Sequence, residues 1–313
     1  MIDTPPASIT VTIKTVVTVT AVSLAYLLIS YFLVGFKTDQ IWLLLIFNGL
    51  FFASGVTRKF ILGFSIFIVY WIIFDYMKAF PNYNYQHVHI ADLFNTEKQL
   101  FGIHTAQGTL TPNEYFWRHH LPLFDVMAGI FYLCWVPVPL GFAAYLFFKN
   151  SRQFLNFSLT FFLVNMVGFV IYYLYPAAPP WFVHFHGFQF IKGTPGNTAG
   201  LSRFDAYFHA GIFKSIYAKS SNVFAAMPSL HSSYPVIVLY YGIKNRLGWV
   251  NIFFAAVMLG IWCAAVYASH HYVLDVLAGI SCAIFSILLF NLLVTKIATV
   301  QNFLQRYQSV ISL

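Results

Sequence analysis

The sequence predicts an all-α integral membrane protein, with about eight transmembrane helices and short interfacial helices between them. Three observations carry this expectation. Hydrophobic residues make up 59% of the chain and charged residues only 8%, where a soluble domain carries roughly a quarter charged residues. Mean hydropathy is +0.72. The apolar residues also fall in runs of spanning length separated by polar segments. The net charge of +8 comes from 17 basic residues scattered between those runs. They form no patch or stripe, so nucleic acid is not an expected partner. Cys134, Cys263 and Cys282 all sit inside apolar runs and read as small buried hydrophobes, without disulfide or metal spacing.

Each element follows from its own stretch. Residues 1–8 are short, acidic at Asp3 and interrupted by Pro5-Pro6. They lack the basic start of a signal peptide, so 15–36 reads as a retained first helix. A second span, 41–55, is short, and 60–77 is the third. Residues 1–58 are thus expected to hold two N-terminal transmembrane helices ahead of a catalytic transmembrane domain, 59–313. The polar segment 78–120 is expected to carry surface helices at 91–102 and 111–120. In the latter, Thr111-Pro112-Asn113-Glu114 supplies an N-cap, a first-turn proline and an early acid. Spans four and five are 123–148 and 154–175. A second polar segment, 176–226, is rich in Gly, Pro and His. Spans at 230–243, 249–268 and 273–294 complete the set. Pro235 suits the first turn of its helix better than the middle.

Basic residues set the expected orientation. Arg58-Lys59, Lys149 with Arg152, Lys244 with Arg246, and the tail residues Lys296 and Arg306 all fall at one set of helix ends. The positive-inside rule places those ends, and both termini, in the cytoplasm. All eleven histidines, and every acidic residue except Asp3, then lie toward the opposite face. Tyr172, Tyr173 and Trp181 read as interface aromatics, and Asp75 as a solvated residue ending the third span.

Two apolar runs begin with histidines: Met227-Pro228-Ser229-Leu230-His231 and Ser269-His270-His271-Tyr272-Val273-Leu274-Asp275. In a helix, positions 271 and 275 share one face, one turn apart. Ionisable groups at the mouth of a membrane helix count as a functional-site hypothesis. A histidine nucleophile needs a carboxylate partner, which fits His271 with Asp275. A second histidine must protonate a leaving oxygen and later deprotonate an acceptor, which fits His231 if the two loops converge. Amides around Ser229 and Leu230 open a helix and suit a phosphate; Arg203 offers a bidentate cation. The remaining histidines read as ordinary interfacial residues, with His270 a neighbour of the nucleophile. No His-x-x-x-His or Cys-x-x-Cys spacing occurs, so neither metal nor cofactor is expected.

Pro228-Ser229-Leu230-His231 and His271-Tyr272-Val273-Leu274-Asp275 resemble the second and third signature motifs of the type 2 phosphatidic acid phosphatase superfamily. Tyr175-Pro176-Ala177-Ala178-Pro179-Pro180-Trp181, Gly193-Thr194-Pro195-Gly196, the stretch 201–208 and Ser269-His270-His271-Tyr272 resemble its inositol phosphorylceramide synthase branch. The resemblance runs over about 91–284 and implies a six-helix phosphatidic-acid-phosphatase-like core. It also implies metal-independent phosphoryl transfer through a phosphohistidine. His271 would be the nucleophile, Asp275 its orienting partner and His231 the acid and then base. The chain departs from the wider superfamily in two places. The proline-rich stretch replaces the Lys-to-Arg-Pro first motif, and Ala264-Ala265 occupies the place of a Ser-Arg pair. The family's phosphate-binding cations therefore have no counterpart at those places. Arg203 and Lys219 are the substitutes, joining Ser229, Leu230 and His270 as the expected substrate-binding set.

The expected substrates are a phospholipid donor and a lipid alcohol acceptor, both held in the membrane. A phosphoinositol or similar head group would pass to a ceramide-like lipid. Hydrolysis of a lipid phosphate by the same His/Asp site is the alternative. A non-catalytic lipid-binding or transport role is disfavoured by the scarcity of charges within the spans. Without the long cytosolic tail of a fungal relative, the chain is expected in a bacterial inner membrane, its site on the periplasmic side.

Overall fold

The computed structural model describes residues 10–106, 108–219 and 222–313; the acidic opening, 1–8, lies outside the described residues. The protein is an all-α membrane protein. Its first helices are α1 (Ile13–Val34), α2 (Thr38–Ala53) and α3 (Gly55–Tyr76). A short α4 (Ala91–Phe101), a hairpin of β1 (Ile103–Thr105) and β2 (Gly108–Leu110), and α5 (Pro112–Arg118) follow. Next come α6 (Pro122–Leu133), α7 (Pro137–Lys149) and α8 (Ser151–Leu174). Three short helices, α9 (Pro180–His186), α10 (Ser202–Tyr207) and α11 (Ile212–Tyr217), lead to α12 (Leu230–Lys244). The chain ends in α13 (Val250–Tyr267), α14 (Val273–Lys296) and α15 (Ala298–Ile311).

Sequence chemistry explains the element ends. Thr111 caps α5 as expected: its Oγ1 accepts the Glu114 N–H at 3.2 Å, and Glu114 Oε2 accepts the Thr111 N–H at 2.8 Å. This reciprocal box satisfies two amides that the first turn leaves open. Ser54 and Thr57 build the same device at α3. The hairpin pairs Ile103 with Leu110 and Thr105 with Gly108, antiparallel.

About eight spans were expected; among the described residues, six helical stretches are long and apolar enough. They are Ile13–Val34, Gly55–Ala79, Pro122–Lys149, Ser151–Leu174, Val250–Tyr267 and Val273–Lys296. The other two expected spans are α2 and α12, of 16 and 15 residues. At 1.5 Å per residue each covers roughly 22–24 Å, short of the ~30 Å hydrocarbon layer. The fourth expected span, 123–148, is interrupted between α6 and α7 at residues 134–136. Pro137 has no N–H to give the carbonyl one turn back, so the helix breaks there. Pro235 lies inside α12 rather than in its first turn. Trp262 on α13 donates its indole N–H to the nearby Ser232 carbonyl at 3.0 Å.

The chain divides into two compact units. One takes the N-terminal part to Phe80, with Ala143–Phe162 and Phe290–Leu313. In it Phe60 and Phe64 stack, with Phe147 and Phe154 against them. Tyr307 of α15 donates to the Leu62 carbonyl at 2.7 Å. Asp75, expected to be solvated, is instead paired with Lys78 at 2.9 Å and Lys37 at 3.2 Å.

The other unit, Pro81–Phe142 and Leu163–Leu289, carries both histidine entrances. Its core gathers Tyr132, Leu201, Phe204, Phe213, Ala264, Ala265 and Tyr267, while Val88, Ile90, Trp181, Phe182 and Phe224 form a second cluster. Two residues read as interface aromatics are core residues here. Trp181 is buried in that second cluster, and buried Tyr172 donates its hydroxyl to the Pro228 carbonyl at 3.0 Å. A polar tip that finds a main-chain partner lets an aromatic ring bury fully.

Candidate active site

Two helix starts meet at the site. α12 opens at Ser229, whose N–H donates to the Asp275 carbonyl at 2.9 Å. Ser233 Oγ donates to the Gly279 carbonyl at 2.6 Å, a second tie between α12 and α14. These helices approach so closely that a Cβ on Gly279 would sit 2.1 Å from the Ser229 carbonyl oxygen. Glycine is the residue that permits such an approach.

A tight turn joins α13 to α14. Ser269 has φ +58°, the left-handed conformation that commonly ends a helix. The Ala265 carbonyl accepts the N–H groups of both His270 and His271 at 3.0 Å. The two consecutive imidazoles then diverge. His270 stacks on Tyr217 at 4.5 Å and its Nε2 meets the Thr198 carbonyl at 2.9 Å. His271 turns the other way, toward α12.

The proline-rich stretch 176–181 ties the two entrances together through its main chain. Ala177 N–H donates to the Phe224 carbonyl at 2.9 Å, and Ala226 N–H returns to the Ala177 carbonyl at 3.3 Å. On its other side the stretch exchanges bonds with His89: His89 N–H to Pro176 and Ala178 N–H to His89. Trp181 N–H donates to the Ser269 carbonyl at 3.1 Å. One strap therefore holds the approach to His231 and the turn before His271.

The result is the convergence the sequence required. His231 Nδ1 lies 3.3 Å from His271 Nε2, although 40 positions separate them. His271 Nδ1 lies 3.5 Å from Asp275 Oδ2, which also accepts the Tyr272 N–H at 2.8 Å. His271 and Asp275 are buried, at 6% and 0% exposure. His271 Nδ1 and Asp275 Oδ1 are both buried without a hydrogen-bond partner. A shift of well under 1 Å would satisfy the first. Tyr132 and Trp135 wall His231, with ring centroids at 5.1 and 4.6 Å. The break between α6 and α7 is what brings Trp135 there. Burial pushes the His271 imidazole down to about 4 and His270 down to about 3. Near neutral pH His271 is therefore an uncharged base with Nε2 turned to His231. A neutral imidazole nucleophile beside a second imidazole suits phosphoryl transfer.

The other residues singled out in the sequence are placed as follows. Arg203 Nε pairs with Asp125 at 2.6 Å, and its guanidinium lies over the Trp117 and Tyr267 rings. Asp125 also holds His120 and the Tyr267 hydroxyl. Arg203 Nη2 is buried without a partner, close to Gly200 and Ala268. Ser229 is fully buried, its amide engaged with Asp275 and its Oγ accepting from Ser232. The Leu230 side chain lies against Gly168. Lys219 is exposed in the turn after α11.

Sequence reasoning missed two buried residues that grip the His271 turn. Glu97, at 0% exposure, accepts the Val273 N–H at 2.9 Å on Oε1 and the Leu274 N–H at 3.1 Å on Oε2. Asn113 donates from Nδ2 to the His271 carbonyl at 2.9 Å and the Val266 carbonyl at 2.8 Å. A signal for Glu97 was present: it falls on the apolar stripe of α4, four residues after Leu93 and four before Phe101.

Against known proteins, the PAP2 superfamily profile matches residues 100–289. The chain is similar to the phosphoinositol dihydroceramide synthase of Bacteroides thetaiotaomicron. They are 44% identical over 300 residues, which is 95% of this chain and 98% of that one. The inositol phosphorylceramide synthase of Candida albicans is 29% identical over 161 residues, 47% of this chain and 33% of its own. The corresponding catalytic subunit of Saccharomyces cerevisiae is 30% identical over 120 residues, 37% of this chain and 29% of its own. No solved structure matches the chain.

Proposed function

Because the chain belongs to the PAP2 superfamily, we propose that it moves a phosphoinositol head group from a glycerophospholipid to a ceramide-like lipid. A relative matched over nearly the whole chain is named for phosphoinositol dihydroceramide synthesis, which supports this head group and acceptor. The carrying observation is the 3.3 Å approach of His231 Nδ1 to His271 Nε2, with Asp275 behind the latter.

The chemistry runs in two displacements. His271 Nε2 gives its electron pair to phosphorus, and the bond from phosphorus to the diacylglycerol oxygen breaks. His231, protonated once the anionic phosphate of the donor lies beside it, gives that oxygen its proton. Asp275 stabilises the positive charge growing on the His271 ring. In the second step His231 takes the proton of the acceptor hydroxyl, which attacks phosphorus as the bond to His271 breaks. Diacylglycerol and a phosphoinositol sphingolipid result, with no metal in the path. Arg203 through Nη2, Lys219, His270 and the α12 start at Leu230 are the proposed substrate contacts, the Ser229 amide being already taken by the Asp275 carbonyl. The catalytic machinery falls within 59–313, on the extracytoplasmic face of a bacterial inner membrane. The basic residues at the opposite helix ends support that sidedness.

Purified protein in mixed micelles, given phosphatidylinositol and ceramide, should yield diacylglycerol and a new phosphoinositol sphingolipid in equal amounts. His271→Ala should drop this to background. Turnover of His271→Ala at the wild-type rate would falsify the assignment. Water-soluble phosphate released without a new sphingolipid would convert it to hydrolysis.

A further inference from the structure

We propose that Glu97 is a positioning residue for the nucleophile, holding the turn that carries His271 through the first two amides of α14. Four observations place it. Its carboxylate is bidentate to the main chain, one oxygen to Val273 and one to Leu274. It is fully buried. It comes from α4, far away in sequence, so it fixes the turn relative to another element rather than within its own helix. The bonded amides lie two and three residues after His271, on the same turn that Asp275 holds through the Tyr272 amide. Asn113 of α5 is the second anchor, gripping the His271 carbonyl itself. His271 is thus held by its main chain from both sides, so its ring direction follows from this clamp. Glu97 also falls outside the residues that the superfamily profile matches.

A carboxylate can accept both amides at once; a protonated carboxyl turns one oxygen into a donor and loses one of them. Burial raises the Glu97 carboxyl to about 7, the negative charge of Asp275 adding to this against the two amides. The titratable groups facing it are Asp275 on α14 and Tyr272 in the turn, whose hydroxyl is raised by burial and by the Asp275, Glu97 and Glu114 charges. On its own helix, Asp92 is bonded to His89 and Lys98 sits over the Phe94 ring. The sign is therefore fixed. Above pH 7 the clamp is complete; as pH falls through about 7 one bond is lost, and kcat falls with it. His271 itself titrates well below, at about 4.

The test compares wild type with Glu97→Gln, which keeps the shape but presents one acceptor and one donor. A misdirected nucleophile costs turnover rather than binding, so kcat should fall roughly 10- to 100-fold with KM within about two-fold. The kcat step near pH 7 should vanish in the variant. Hydrogen exchange of wild-type protein gives a reading that needs no variant. Protection of the Val273 and Leu274 amides, corrected for intrinsic rates, should rise as pH increases through 7. A Gln variant with wild-type kcat and pH profile overturns the inference. So does protection of those amides that stays flat from pH 5.5 to 8.5. The inference rests on His271 being the attacking group, and the two readings fail separately. An active His271→Ala sinks both, whereas an inactive His271→Ala beside a wild-type-like Glu97→Gln sinks only the clamp.

Discussion

Asp275 shows how one carboxylate serves two masters at residue scale. Its Oδ2 faces the His271 Nδ1 and also accepts the Tyr272 amide. Asp275→Asn keeps the volume and one acceptor but removes the charge and favours the wrong imidazole tautomer. Turnover should fall on the order of 10³- to 10⁴-fold while the protein stays folded; lipid-product assay and a detergent melting curve read the two. His231→Asn should cost roughly 10²- to 10⁴-fold through lost proton transfer, with donor binding measured in parallel and unchanged. His271 and Asp275 were legible from their spacing of four across the start of α14, and His231 from the Pro228-Ser229-Leu230-His231 motif before a second helix. Arg203 was legible only as a charge. Nothing in the sequence says that Asp125, 78 positions away, pairs with it. Asn113 was hidden for another reason: its partners are main-chain atoms, which no residue type advertises, and Glu97 showed only as an acid on the apolar stripe of α4, its main-chain partners unmarked.

At the scale of elements, the tie between α12 and α14 depends on Gly279. An alanine there would place its Cβ 2.1 Å from the Ser229 oxygen, a main-chain atom that cannot rotate away. Gly279→Ala should therefore lose about 1–3 kcal/mol of stability by overpacking and most of its turnover. Gly141→Ala on α7 is the control, because a Cβ there meets nothing within 4 Å. Thermal melts in detergent that leave the two variants equal would refute this account. Helix positions were read well from apolar runs, and the α5 cap was read correctly from Thr111-Pro112-Asn113-Glu114. The break before Pro137 was not, since a proline in an apolar run marks a kink or an end with equal force. The strap at 176–181 was visible as a family mark, yet its work lies in amide pairing that composition does not reveal.

For the whole molecule, hydropathy sets the membrane class. Length then separated six adequate helical stretches from two short ones, α2 and α12. Sidedness is a separate matter, carried by the basic residues. In a background with Cys134, Cys263 and Cys282 replaced by serine, Lys192→Cys in intact cells should react with a membrane-impermeant maleimide. Asn150→Cys should react only after lysis. The reverse pattern would invert the proposed orientation.

The strap between the two histidine entrances has a practical consequence. Its links at Ala177, Ala178, Ala226 and Trp181 are peptide groups, which substitution of side chains leaves in place, proline excepted. Variation of side-chain type along the strap therefore leaves these ties between the two entrances in place. The alignment of the two imidazoles is in this way written in the backbone.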